Sequence, residues 1–140
     1  MKAIVYNLIV SFFLICANSN SILAQDSTYL DENSYKVKMT QLSGSIIHPP
    51  WDIDTFIFKS GKMYSVRMKR EEGFRRALYI ASISNADHNP IIKFTYFNSN
   101  RGGSTLGIQG TVQGNLIEGT AQWKSLSGEN EYTFTGTLLV

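Results

Sequence analysis

His48, Asp52 and Asp54 are the residues whose types and spacing come nearest to a reactive or metal-binding set. Alternate residues of an extended segment project to the same side, so an imidazole and two carboxylates at these positions could converge on a divalent cation. The same residues flank Pro49-Pro50, where polar groups serve as solvated turn formers, and that simpler role leaves no metal assigned. Glu71 and Glu72 are adjacent, and an extended chain sends them to opposite sides, whereas a glycosidase pair must straddle one bond. The chain has no G-x-S-x-G elbow, no phosphate-binding glycine loop and no H-E-x-x-H pair. Cys16, the one cysteine, falls inside a candidate export segment, so thiol, disulfide and cysteine-metal chemistry leave with it. These residues describe a protein that is not an enzyme, with no catalytic residue, no metal and no cofactor.

Two further groups suit binding better than reaction. Arg67, Lys69, Arg70, Arg75 and Arg76 are the one concentration of charge, partly neutralised by Glu71 and Glu72. Arg67 and Lys69 alternate with Val66 and Met68, which predicts the wet face of a strand, a solvated edge that discourages edge pairing; an anionic ligand is the alternative. The aromatic set Phe94, Tyr96, Trp123 and Tyr132, with Phe134 beside it, offers either a core or a pocket for a small apolar or amphipathic ligand. A net charge of +2 is too small to concentrate nucleic acid or an anionic membrane on the surface.

The elements that must position these residues read as strands. Turn signals at Ser60-Gly61, Asn98 to Gly103, Gly114-Asn115 and Ser127-Gly128 separate runs rich in Val, Ile, Thr, Phe and Tyr. A two-residue turn at Gly114-Asn115 sets Val112 opposite Ile117, Ile108 opposite Ala121 and Leu106 opposite Trp123. A turn centred on Ser127-Gly128 sets Trp123 opposite Tyr132, Ala121 opposite Phe134 and Ile117 opposite Leu138. A register centred on Arg101 sets Tyr96 against Leu106 and Phe94 against Ile108. The predicted inner face is Ile92, Phe94, Tyr96, Leu106, Ile108, Val112, Ile117, Ala121, Trp123, Tyr132, Phe134 and Leu138. Gly110, Gly119 and Gly136 share it, a glycine track that lets the sheet bend or lets a ring lie across the gap.

Earlier in the chain, Tyr35, Val37 and Met39 alternate with polar residues, and a second run follows from Leu42 to Ile47. Phe56 to Lys59 and Lys62 to Met68 form a hairpin about Ser60-Gly61, and Leu78 to Ile83 supplies another strand. The expected fold is all-β: a single antiparallel up-and-down barrel, or a strongly coiled sheet, of about eight strands.

Residues 1–24 combine Lys2, an apolar run from Leu8 to Cys16, a polar ANSNS segment and Ala24, the parts of a cleavable signal peptide. The run is shorter than the roughly 18 apolar residues of a membrane span, so no integral span is expected after cleavage. The expected organisation is a signal peptide at 1–24, a flexible N-terminal segment at 25–34 and a barrel domain at 35–140, exported to the periplasm or the extracellular medium.

FIFKSGKMYS, then EEGFRRALY, then GTVQGNLIEGTAQW and EYTFTGTLLV, resemble a group of uncharacterised small secreted bacterial β proteins over residues 55–140. The resemblance implies a lipocalin-like barrel form and carries over no catalytic or binding residue. Two functions follow as expectations. One is a barrel that holds a small apolar ligand among Phe94, Tyr96, Trp123 and Tyr132; the other is a structural or protein-interaction module of the cell envelope with a filled interior.

Overall fold

Alternation with a period of two builds the wall of the molecule. In a computed structural model that describes residues 28–46, 50–84 and 88–140, Tyr35, Val37 and Met39 of β1 (Ser34–Gly44) are buried while Lys36, Lys38 and Thr40 face solvent. The candidate signal peptide and His48 lie outside the described residues. β1 is one strand where two runs were expected. Its register against the last strand shifts between Gln41 and Ser43, so Leu42 is the extra residue of a β-bulge.

β2 (Ile53–Lys59) and β3 (Lys62–Ser65) form the expected hairpin, with left-handed backbone at Ser60 and Gly61. The strand expected to run on to Met68 stops at Ser65, and a short helix, α1 (Val66–Glu72), replaces its second half. Ser65 caps it, its hydroxyl accepting from the Met68 N–H, and Gly73 ends it at φ 72°. Arg67 and Lys69 therefore stand on a helix and not on a strand's wet face.

β4 (Ala77–Ile83), β5 (Ile91–Ser99), β6 (Thr105–Gln113), β7 (Leu116–Ser125) and β8 (Gly128–Leu138) follow. Each strand pairs antiparallel with its neighbours in sequence, and β8 pairs with β1, closing an eight-stranded up-and-down barrel. Closure gives every strand a partner on each side. The seam between β3 and β4 is narrow, with only Lys62 opposite Leu78 and Met63 opposite Ala77.

The β6–β7 register is as expected, with Leu106 opposite Trp123 and Val112 opposite Ile117. Two other registers move by two residues. Phe94 faces Gly110 and Tyr96 faces Ile108, about a turn centred on Gly102 instead of Arg101. Ser125 pairs with Gly128, so Leu126-Ser127 makes the last turn, setting Trp123 opposite Asn130 and Ala121 opposite Tyr132. A shift of two keeps each side chain on its side of the sheet, and the inner face is occupied as expected.

Both ends of the barrel are closed. At one end Leu30 is fully buried, its N–H donating to Tyr79 Oη at 3.0 Å. Tyr79 Oη donates to Asp31, which also accepts from the Gly61 N–H of the β2–β3 turn. At the other end Met68 of α1, Phe74 and Trp51 are buried. Asn100 Nδ2 donates to the Glu72 carbonyl and Asn98 Nδ2 to that of Arg75, which tie the helical segment to the end of β5.

Candidate functional site

The four residues expected to hold a ligand all lie on the inner face, in three successive cross-strand rows. Phe94, Gly110, Gly119 and Phe134 form one row, Tyr96, Ile108, Ala121 and Tyr132 the next, and Asn98, Leu106, Trp123 and Asn130 the third. All four are buried, and protein groups already occupy the space around them. The Phe94 ring meets Phe58 edge to face at 5.2 Å, and Phe58 also meets Tyr79 at 4.9 Å and Tyr35 at 5.9 Å. Rings from β1, β2, β4 and β5 thus touch inside the barrel on the side of the Leu30 end, and Phe56 against Phe134 at 5.1 Å adds a second contact. Such edge-to-face pairs contribute about 1 kcal/mol each beyond their buried area.

Tyr132 packs against Trp51 at 4.8 Å and its oxygen accepts from Asn130 Nδ2 at 3.0 Å. Tyr96 Oη donates to the Arg75 carbonyl at 3.3 Å. Burial pushes the pKa of both phenols up, and the neighbouring Asn130 and Asn98 amides offset part of that rise. The phenols are held as hydrogen-bonding core groups.

The residues considered for a metal separate. Asp54 is buried on the inner face of β2 and accepts from Trp51 Nε1 at 2.8 Å, from the Thr55 N–H at 2.6 Å, from the Arg67 N–H at 3.0 Å and from Ser65 Oγ. Asp52 lies at the surface and holds the Arg67 guanidinium at 2.9 Å, which Glu71 holds from the other side, also at 2.9 Å. The Ile53 N–H, then Arg67, keep the Asp52 carboxyl below its usual range; Arg67 does the same for Glu71. Among the described residues no group of three or more His, Cys, Asp or Glu side chains is placed to hold a metal ion.

The basic cluster is divided in the same way. Arg67 is taken by two carboxylates, Arg70 reaches Glu71 at 3.5 Å, and Lys69 lies over the Tyr64 ring at 4.8 Å. Arg75 and Arg76 face solvent without joining them.

Sequence reasoning considered Asp54 only as a metal ligand and not as the buried acceptor it is, and it gave no role to Trp51 or Leu30. The signal for Asp54 was present, since it falls in phase with Phe56 and Phe58 on the buried side of β2.

The outer wall of β5 to β8 is hollowed by three adjoining depressions of about 410, 550 and 420 Å³ that share lining residues and so form one trough. Its cause lies on the other side of the sheet. Gly110 and Gly119 pair across β6 and β7 with the Phe94 and Phe134 rings pressed beneath them. A Cβ on Gly119 would come within 2.7 Å of Phe134 Cζ, so only glycine lets the sheet sink here. No family model, curated protein or solved structure matches this chain.

Proposed function

We propose that the chain is an exported, non-enzymatic barrel of lipocalin-like form that works from its outside, as an interaction module meeting another component of the cell envelope. The observation that carries the reading is the junction of Phe58 with Tyr35, Tyr79 and Phe94, which fills the space a barrel of this size would offer a ligand. Closure of one end by Leu30 and of the other by Met68, Phe74 and Trp51 supports it, because a bound molecule would have to displace buried side chains to enter. Export is supported by Lys2, the apolar run from Leu8 and the small residue Ala24.

Native mass spectrometry of the protein from its own cells, with titration of a hydrophobic naphthalene fluorophore, tests the reading. A bare polypeptide mass beginning near Gln25 and no stoichiometric fluorophore binding are expected. A co-purified apolar molecule whose loss follows substitution of Phe94 or Tyr132 would overturn it in favour of an internal ligand. An uncleaved Met1 form, or lipid on Cys16, would overturn the export part.

A further inference from the structure

We infer that the trough on the outer wall of β5 to β8 binds a neutral, linear polyhydroxylated chain, an oligosaccharide or polysaccharide strand; the inference rests on the reading of the barrel as an interaction module. The trough follows β6 and β7 from Gly107 to Gln113, about 20 Å at the rise of an extended strand, and spans three strand spacings, about 14 Å. Those dimensions suit a chain laid lengthwise and are larger than a single small molecule needs.

The floor chemistry is repetitive. Thr95, Gln109, Thr120 and Thr133 stand side by side in one cross-strand row, and Lys93, Thr111, Glu118 and Thr135 in the next. Hydroxyls and carboxamides both donate and accept, so these rows can replace water around a chain whose substituents also do both. Among the described residues, no hydrogen bond to another protein group engages the side chains of Thr95, Gln109, Thr111, Thr120 or Thr133.

Other occupants fit less well. Lys93 and Glu118 flank Thr111 with opposite charge, so the floor lacks the single-sign field that a nucleic acid or acidic polymer requires. A wholly apolar ligand would cut the hydroxyls and carboxamide of these rows off from water without replacing their hydrogen bonds. A polypeptide strand would seek a sheet edge, and the closed barrel presents a face here.

Phe97 stands just outside one end of the trough, beside Gly107, which lines it. Phe97 is 66% exposed on β5, and its cross-strand partner is Gly107, whose absent side chain leaves the ring 3.8 Å from where a Cβ would sit. A bare ring beside hydrogen-bonding rows is a platform for the C–H face of a sugar ring, which is apolar where its edge is polar.

Calorimetric titration of the mature protein with laminarihexaose, maltohexaose, cellohexaose and chitohexaose tests the assignment. At least one should bind, with affinity unchanged from about 0.05 to about 0.5 M salt. Phe97→Ala should weaken it by about fivefold through loss of the stacking surface. Thr120→Val, which keeps the shape and removes the hydroxyl, should weaken it by about fivefold as well. Both positions are exposed, and unchanged urea midpoints would show that the fold is intact. Failure of all four saccharides, binding indifferent to both substitutions, binding that collapses with salt, or capture of a polypeptide on this face instead would each overturn the assignment. The fluorophore titration on the same samples separates the two levels. Fluorophore inside the barrel defeats the interaction-module reading, whereas neither fluorophore nor saccharide bound defeats the saccharide assignment alone.

Discussion

Asp54 does more than any other polar residue to set the geometry at one end of the barrel. Its carboxyl accepts from Trp51, Thr55, Arg67 and Ser65, and Ser65 in turn caps α1, so one side chain joins the entry to β2, the end of β3 and the helix. Asp54→Ala strands several buried donors at once and should cost about 3 kcal/mol, read from urea unfolding. Trp51→Phe removes one donor and should cost nearer to about 1 kcal/mol. Equal losses from the two would mean that the ring of Trp51, and not the carboxyl, organises this end.

The buried phenols make a pH prediction with a definite sign. Tyr35, Tyr96 and Tyr132 have pKa values raised in the native state, chiefly by burial, with Asn33, Asn98 and Asn130 pulling the other way. The neutral phenol is therefore favoured by folding. Its contribution is complete below the unfolded value of about 10 and is lost as pH rises from there through the folded values. Thermal stability should hold level through neutral pH and fall above about pH 10, with tyrosinate absorbance appearing together with unfolding. Tyrosinate that forms fully while the near-ultraviolet dichroism stays native would contradict this. Asp52 and Glu71 carry the opposite sign, their depressed pKa values giving a contribution present above about pH 4 and lost below it.

At the scale of the element, glycines decide more than any residue with a functional group. Gly73 holds the left-handed position that ends α1, so Gly73→Ala should cost about 1 kcal/mol and Gly73→Asn less. Gly119→Ala puts a Cβ within 2.6 Å of the Gly110 backbone and 2.7 Å of the Phe134 ring, and overpacking there should cost about 2 to 3 kcal/mol. Trp123→Ala, at a buried inner position, should cost about 3 to 5 kcal/mol. A loss from Gly119→Ala below that from Gly73→Ala would mean that the sheet is not pinned at its glycine pair.

The strands also show what a sequence can reveal and where it stops. Gly114-Asn115 was readable because a two-residue hairpin turn needs left-handed backbone that glycine supplies, and Gly114 sits at φ 59°. Leu126-Ser127 carries no such mark, and the glycine beside it flanks the turn instead of forming it, so the β7–β8 register slid by two. The inner face survived because alternation is indifferent to a slide of two. α1 escaped notice because it buries only Met68 along its length, which leaves no apolar stripe. Its two marks were Ser65 before it and Gly73 after it. The ligand-site candidates were placed correctly on the inner face, but the residues that fill the space against them, Phe58 and Trp51, come from the half of the chain where both faces carry apolar residues. The glycine track at Gly110 and Gly119 signalled a bend with a ring lying across it, but not that the bend would hollow the outer wall, which depends on how β6 and β7 settle over the Phe94 and Phe134 rings.

For the molecule as a whole, the barrel is unevenly fastened. Nine cross-strand positions join β5 to β6 and nine join β6 to β7, whereas two join β3 to β4. Opening should therefore begin at that narrow seam. Amides of Met63 and Tyr79 should exchange with solvent faster than those of Ile108 and Ala121 in native-state hydrogen exchange, with the difference shrinking as denaturant brings global unfolding closer. Uniform protection around the barrel would show that α1 and Phe74 brace the seam as firmly as hydrogen bonds brace the rest.

The pairing of β8 with β1 makes the strand sequence circular. The Leu139 N–H donates to the Ser34 carbonyl at 2.8 Å, so the last strand leaves the wall beside the point where the first one enters it. A short peptide linker there would convert the strands into a continuous loop of chain. New ends could then be cut at the exposed Arg75-Arg76 bond, between α1 and β4. Such a circular permutant keeps all eight strand pairings while exchanging which of them are local in sequence: β8–β1 becomes a hairpin, and β3–β4 becomes the closure between the two ends of the chain. Nature's order leaves the long β1–β8 ladder to be assembled across the greatest chain separation, and the permutant would form that ladder early and leave the narrow seam for last.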